Sequence, residues 1–113
     1  MTVKPVPAGY HTATPYLVVD DGRKAIDFYK RAFNAELHMS MEGPGGMIIH
    51  AEVRIGDSIV MLGEEMPNMY NKSPKSVGST TAGVMLYVPD VDKAFQQAVA
   101  AGANPAALRI ALP

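Results

Sequence analysis

Between Thr14 and Phe33 the apolar period of the chain changes once. Thr14-Pro15-Tyr16-Leu17-Val18-Val19 is a short run rich in β-branched and aromatic residues, which predicts a strand over about 12–19. Strand residues alternate between faces, so Leu17 and Val19 point one way and Thr14, Tyr16 and Val18 the other. Asp20 and Asp21 then offer helix N-caps, and Ala25, Ile26, Tyr29, Ala32 and Phe33 recur at helical spacing, predicting a helix over about 22–33. Its apolar stripe is expected on the Leu17/Val19 side of the sheet. Asn34 stands where a left-handed helix stop is wanted.

The alternation resumes at Glu36–Glu42, which sets Leu37, Met39 and Met41 against Glu36, His38, Ser40 and Glu42. Gly43-Pro44-Gly45-Gly46 signals a turn. Met47–Ile55 alternates again, with Met47, Ile49, Ala51, Val53 and Ile55 on one face and Ile48, His50, Glu52 and Arg54 on the other. Gly56-Asp57 reads as a tight hairpin link, and Ser58–Leu62 is apolar on both faces, as a central strand should be. This makes one β-α-β-β-β module. Residues 66–80 show no periodicity and are expected to be a mobile connector, a lid if a ligand exists.

The opening motif returns 69 residues later. Asp21-x-x-Lys24-Ala25-Ile26 matches Asp90-x-x-Lys93-Ala94-Phe95, which predicts a strand over about 82–88 and a helix over about 91–101. Val91, Ala94, Phe95, Ala98 and Val99 form the stripe of that helix, and Gly102 ends it. The expected fold is therefore α+β, a single domain of paired β-α-β-β-β modules over residues 1–113. Module one covers about 12–65, the linker 66–80, and a partial second module 81–113. After Gly102 too few residues remain for three more strands, and Leu108–Leu112 offers at best one short strand.

Composition narrows the function classes. A chain of 113 residues, 48% hydrophobic with mean hydropathy +0.03, fits one globular domain. The formal net charge is −1 and the basic residues are scattered, which argues against nucleic acid and anionic membrane partners. There is no cysteine, hence no disulfide framework, thiolate metal site or thiol nucleophile. The N-terminal residues lack the apolar core of a signal peptide and no run approaches membrane-spanning length, so a cytoplasmic location is expected.

Candidate chemistry concentrates on the strand over 47–55. His50, Glu52 and Arg54 share one face, and histidine is a suitable general base or metal ligand. The plainer reading is a solvated sheet face carrying a cross-strand ion pair. His38, on the neighbouring strand, could join His50 and Glu52 around a divalent ion. Glu64-Glu65 reads as a solvated strand end and His11 as a surface residue. Gly43–Gly46 precedes a strand instead of a helix, so it is no phosphate loop. No Ser-His-Asp or Cys-His arrangement is present.

The strings Thr14-Pro-Tyr-Leu-Val-Val-Asp-Asp, Ala25-Ile-Asp-Phe-Tyr-Lys-Arg-Ala-Phe, His50-Ala-Glu-Val-Arg-Ile-Gly-Asp-Ser, Asp90-Val-Asp-Lys-Ala-Phe and Ala100-Ala-Gly-Ala together resemble the vicinal oxygen chelate superfamily. That group includes glyoxalases, bleomycin- and fosfomycin-resistance proteins and extradiol dioxygenases. The resemblance implies a concave cup lined by Tyr16, His50, Glu52, Arg54, Met61, Met85 and Tyr87. The family's metal enzymes place ligands at positions that correspond here to Thr14 and Gly83, neither a good ligand, and near Met61, with Glu64 and Glu65 just beyond. The strand expected to carry the fourth ligand, a glutamate, is absent. The resemblance thus implies a small-molecule-binding protein that sequesters its ligand without the family's standard metal site. The other reading is a divalent-metal-dependent lyase, isomerase or dioxygenase using His50 and Glu52. An incomplete second module leaves an open strand edge, which implies a homodimer whose second modules abut or exchange.

Overall fold

The computed structural model describes residues 4–80 and 82–106. Four strands make one mixed sheet: β1 (Tyr16–Val19), β2 (Glu36–Glu42), β3 (Ile48–Ile55) and β4 (Ser58–Glu64). Their spatial order is β1-β4-β3-β2, with β1 parallel to β4 and the other pairs antiparallel. The doubly apolar β4 therefore sits inside the sheet, as its composition required. The β3–β4 hairpin turns through Gly56-Asp57, with Ile55 opposite Ser58 and Gly56 at φ +60°, a backbone that favours glycine. Between β1 and β2 runs helix α1 (Gly22–Phe33). The Asp21 carboxylate caps it by accepting from the Lys24 amide at 3.1 Å, and Asn34 closes it at φ 56°. Ile26 on α1 packs with Ala51, Val53, Val60 and Leu62, and Leu17 and Val19 of β1 lie against this core. Gly22 lets the helix start come down on Ile48, where an added Cβ would stand 2.5 Å from the Ile48 Cβ.

A short helix α2 (Pro74–Val77) lies in the connector, and α3 (Val91–Ala100) follows. The Asp90 carboxylate caps α3 with the same geometry as Asp21, accepting from the Lys93 amide at 3.1 Å, so the sequence repeat is a structural repeat at its helix start. α3 packs against α1, burying Ala98. The Gln97 amide donates to the Arg31 carbonyl at 2.9 Å and to Asn34 Oδ1 at 2.8 Å.

Four expectations need correction. β1 begins at Tyr16 and not near residue 12, because Thr14 lies outside the ladder that starts with the Tyr16–Met61 pair. Residues 82–88 form no strand: the segment has no ladder partner among the described residues, and a backbone without one cannot make a sheet. The other two concern facing. Leu37 pairs with Val53, but Met39 pairs with Glu52, so His38 is an extra residue on β2 and alternation slips there. Met39 and Met41 therefore share the face of Glu52 and His50 and not that of Leu37. Met41 pairs with His50 and Glu42 with Ile48, which makes Ile49 an extra residue on β3 and turns Ile48 into the helix-side core. The short strand offered by Leu108–Leu112 lies outside the described residues.

Candidate functional site

Strand register assembles the face of the sheet opposite α1. Met61 is the partner of Tyr16 on one side and of Glu52 on the other, and Glu52 is the partner of Met39. Directly paired residues point the same way, so Tyr16, Met61, Glu52 and Met39 form a row across all four strands. His50 and Met41 pair beside that row. Arg54, paired with Glu36 and Ile59, lies on the same face nearer the β3–β4 hairpin.

Glu52 is the pivot. It is 5% exposed, and His50 Nε2 stands 2.8 Å from its Oε2 while the Tyr10 hydroxyl donates to its Oε1. Burial disfavours its charge, but the hydrogen bonds from Tyr10 and His50 outweigh that and hold the carboxyl below its ordinary range. Donating to a carboxylate correspondingly raises the Tyr10 phenol. The Tyr10 ring meets His38 edge-on at 6.0 Å, which brings His38 to the same cluster, and the nearby imidazole also favours the Glu52 charge. Tyr16 lies beside His50, ring centroids 5.6 Å apart, with its hydroxyl 3.4 Å from Nδ1.

Tyr16, His50, Glu52 and Met61 thus come together. Met85 and Tyr87 do not join them. Both are exposed, at 62% and 95%, and with Arg54, Phe33 and Asp57 they line a cleft of about 860 Å³ at the hairpin end of the sheet. Tyr10 was not anticipated, since it lies in a proline-rich arm without periodicity. A turn in which the Tyr10 amide donates to the Pro7 carbonyl at 3.1 Å helps shape the arm there. Glu64 and Glu65 are not a solvated pair. Glu64 accepts from the backbone amides of Gly22 and Ile48, at 3.1 and 2.9 Å, and Glu65 from the Ser73 amide and the Ser76 hydroxyl, at 2.8 and 2.6 Å.

The donor set bears on metal binding. His50 Nε2 and Glu52 Oε2 are directed at one another and Tyr10 covers the second Glu52 oxygen. Among the described residues no three histidine, aspartate or glutamate side chains converge on one ion position, so they do not fit a three-ligand centre. Thr14 borders the hairpin-end cleft and Gly83 lies in the exposed segment, and neither supplies a strong ligand. Among the described residues, no helix is long and apolar enough to cross a membrane.

Comparison with known proteins agrees with this architecture. Residues 10–107 match the Glyoxalase/Bleomycin resistance protein/Dioxygenase superfamily, and the chain belongs to it. It is 45% identical over 94 residues to an uncharacterised protein of Mycobacterium bovis, a match covering 80% of this chain and 62% of the relative. The chain therefore spans about three fifths of the length of that relative. Among solved structures it resembles a gene product of Arabidopsis thaliana, with TM-score 0.64 and 23% identity over 82% of this chain and 74% of that one. It also resembles TioX from a Micromonospora species, with TM-score 0.56 and 26% identity over 83% and 72% of the two chains.

Proposed function

We propose that the protein binds a small, partly apolar molecule on the sheet face of Tyr16, His50, Glu52 and Met61, without the family's standard metal site. One observation carries this reading: a buried carboxylate, held charged by Tyr10 and His50, stands among Met39, Met41 and Met61 on a sheet face that the arm at Tyr10 covers only in part, leaving Tyr16 and Met41 about half exposed. Methionine is adaptable and polarisable, and a few fixed polar groups within such a wall suit ligand recognition. The test is a small-molecule screen read on methionine methyl resonances. Hits are expected to move Met39, Met41 and Met61 first. Hits that move only Met69 or Met85 would place the site elsewhere.

The second reading, a divalent-metal-dependent lyase, isomerase or dioxygenase, draws support from His38 standing near the His50–Glu52 pair. Metal analysis of the purified protein separates the two readings. Stoichiometric Zn, Ni, Fe or Mn, lost in His50→Ala, would replace the metal-free reading. The proposal includes a homodimer in which the second modules of two chains abut or exchange, so that each cup is completed by a partner.

A further inference from the structure

Two phenols flank the His50–Glu52 pair, and their hydrogen bonds settle which atoms hold protons. An ionised carboxylate only accepts, so Tyr10 donates to one oxygen and His50 must carry a proton on Nε2 to donate to the other across 2.8 Å. In the neutral imidazole the remaining nitrogen, Nδ1, then has a free lone pair. It faces the Tyr16 hydroxyl at 3.4 Å, long for a hydrogen bond between an O–H donor and nitrogen, and Tyr16 is 49% exposed. Room for that hydroxyl depends on Gly63 of β4, where an added Cβ would stand 2.6 Å from it and 2.5 Å from the Ile49 carbonyl oxygen. A basic nitrogen is thus held in one tautomer, and among the described residues its hydrogen-bond partner is a half-exposed phenol at long range.

We propose that His50 Nδ1 is a proton acceptor for a ligand hydroxyl, with Glu52 as the positioning residue, and that the ligand is a small aromatic molecule with a weakly acidic phenolic group displacing Tyr16. This rests on the sheet-face reading and names its ligand class. The ligand O–H bond breaks, its proton passes to Nδ1, and the phenolate oxygen accepts from the new Nδ1–H. The imidazolium keeps its Nε2–H on Glu52, so the positive charge forms next to a fixed negative one. The titratable and charged groups on this face are Glu52 and Arg54 from β3, Glu36 and His38 from β2, Tyr10 from the arm and Tyr16 from β1. β4 contributes only Met61 and Gly63. Arg54 favours negative charge at Tyr10 and His38 at Glu52, and the three methionines offer sulfur contacts to an aromatic ring.

The test titrates the protein with p-nitrophenol, and with p-nitroanisole as the counterpart lacking an acidic proton. Below the phenol's own pKa, bound p-nitrophenol is expected to show the phenolate absorption and to bind about tenfold or more tighter than the ether, the range of a charge-assisted hydrogen bond. His50→Gln should abolish that absorption. Nitrogen NMR of His50 in the unmodified protein gives a readout independent of any variant's folding: protonated on Nε2 alone when free, on both nitrogens when bound. Glu52→Gln should mix the tautomers. Equal binding of both compounds without phenolate absorption overturns the proton acceptor and leaves the sheet-face reading standing. A free His50 protonated on Nδ1, or no binding of either compound, also overturns it, while the methionine-methyl screen judges the sheet face separately.

Discussion

A carboxylate withdrawn from water needs other donors, and Glu52 has one from the arm and one from its own strand. Tyr10→Phe removes the first. Losing a hydrogen bond to a buried charged group should cost about 1–3 kcal/mol, read as a lower urea midpoint. Because the Glu52 carboxyl is held below its ordinary value of 4.5, its contribution is complete above that pH and lost as pH falls through the folded value. In Tyr10→Phe that loss should begin at higher pH in urea melts across an acid series. Gly63→Ala tests the seat of Tyr16. The added methyl meets a backbone oxygen that cannot easily give way, so a destabilisation of about 1–3 kcal/mol is expected. Tyr16→Phe, which removes the atom at 2.6 Å, should relieve only part of it. At this scale the pairing of His50 with Glu52 was legible, because residues two apart on a strand share a face. Tyr10 was not, because a chain arm without a period gives no sign of where it folds back. Plain alternation groups Met39 and Met41 with Leu37, and the extra residue at His38 that separates them leaves no mark in it.

The last two residues before the connector fasten three elements. Glu64 ties the start of α1 to the start of β3 through the Gly22 and Ile48 amides, and Glu65 ties the start of α2 to the end of β4 through Ser73 and Ser76. Hydrogen bonds, first from the Ser76 hydroxyl and then from the Ser73 amide, lower the Glu65 carboxyl from 4.5 to about 2. A depressed folded value means that this attachment is complete above pH 4.5 and is lost as pH falls toward about 2. Amide exchange at Ser73 should therefore stay slow down to about pH 3 and quicken below it, and in Ser76→Ala the change should come at higher pH. Fast exchange at Ser73 throughout would return 66–80 to the loose connector that its lack of periodicity suggested. Helix ends were readable because caps are local: Asp21 and Asp90 each act on the amide three residues on, and Asn34 closes its helix onto the Tyr29 carbonyl five residues back. The failed strand at 82–88 shows the opposite case, since a strand exists only through a partner and alternation in one segment cannot supply it.

At the scale of the molecule, the described residues leave sheet edge and large apolar side chains uncovered. β2 forms one edge of the sheet and is exposed along its whole length, and Met41, Tyr16, Met85 and Tyr87 add large apolar surfaces. A standard interface buries about 800 Å² per partner, and a two-fold axis is the commonest way to form one. The proposed dimer joins the 84–88 segment of one chain to its partner, with Met85 and Tyr87 near the contact. Sedimentation at micromolar concentration should show a dimer. Tyr87 has almost no contacts to lose within its own chain, so Tyr87→Ala should change monomer stability by less than about 0.5 kcal/mol. Aromatic anchors carry much of an interface's energy, so combined with Met85→Ala it should weaken self-association about tenfold or more. If the unmodified chain sediments as a folded monomer, the shared cup fails, and any ligand must be held by the sheet face of one chain alone.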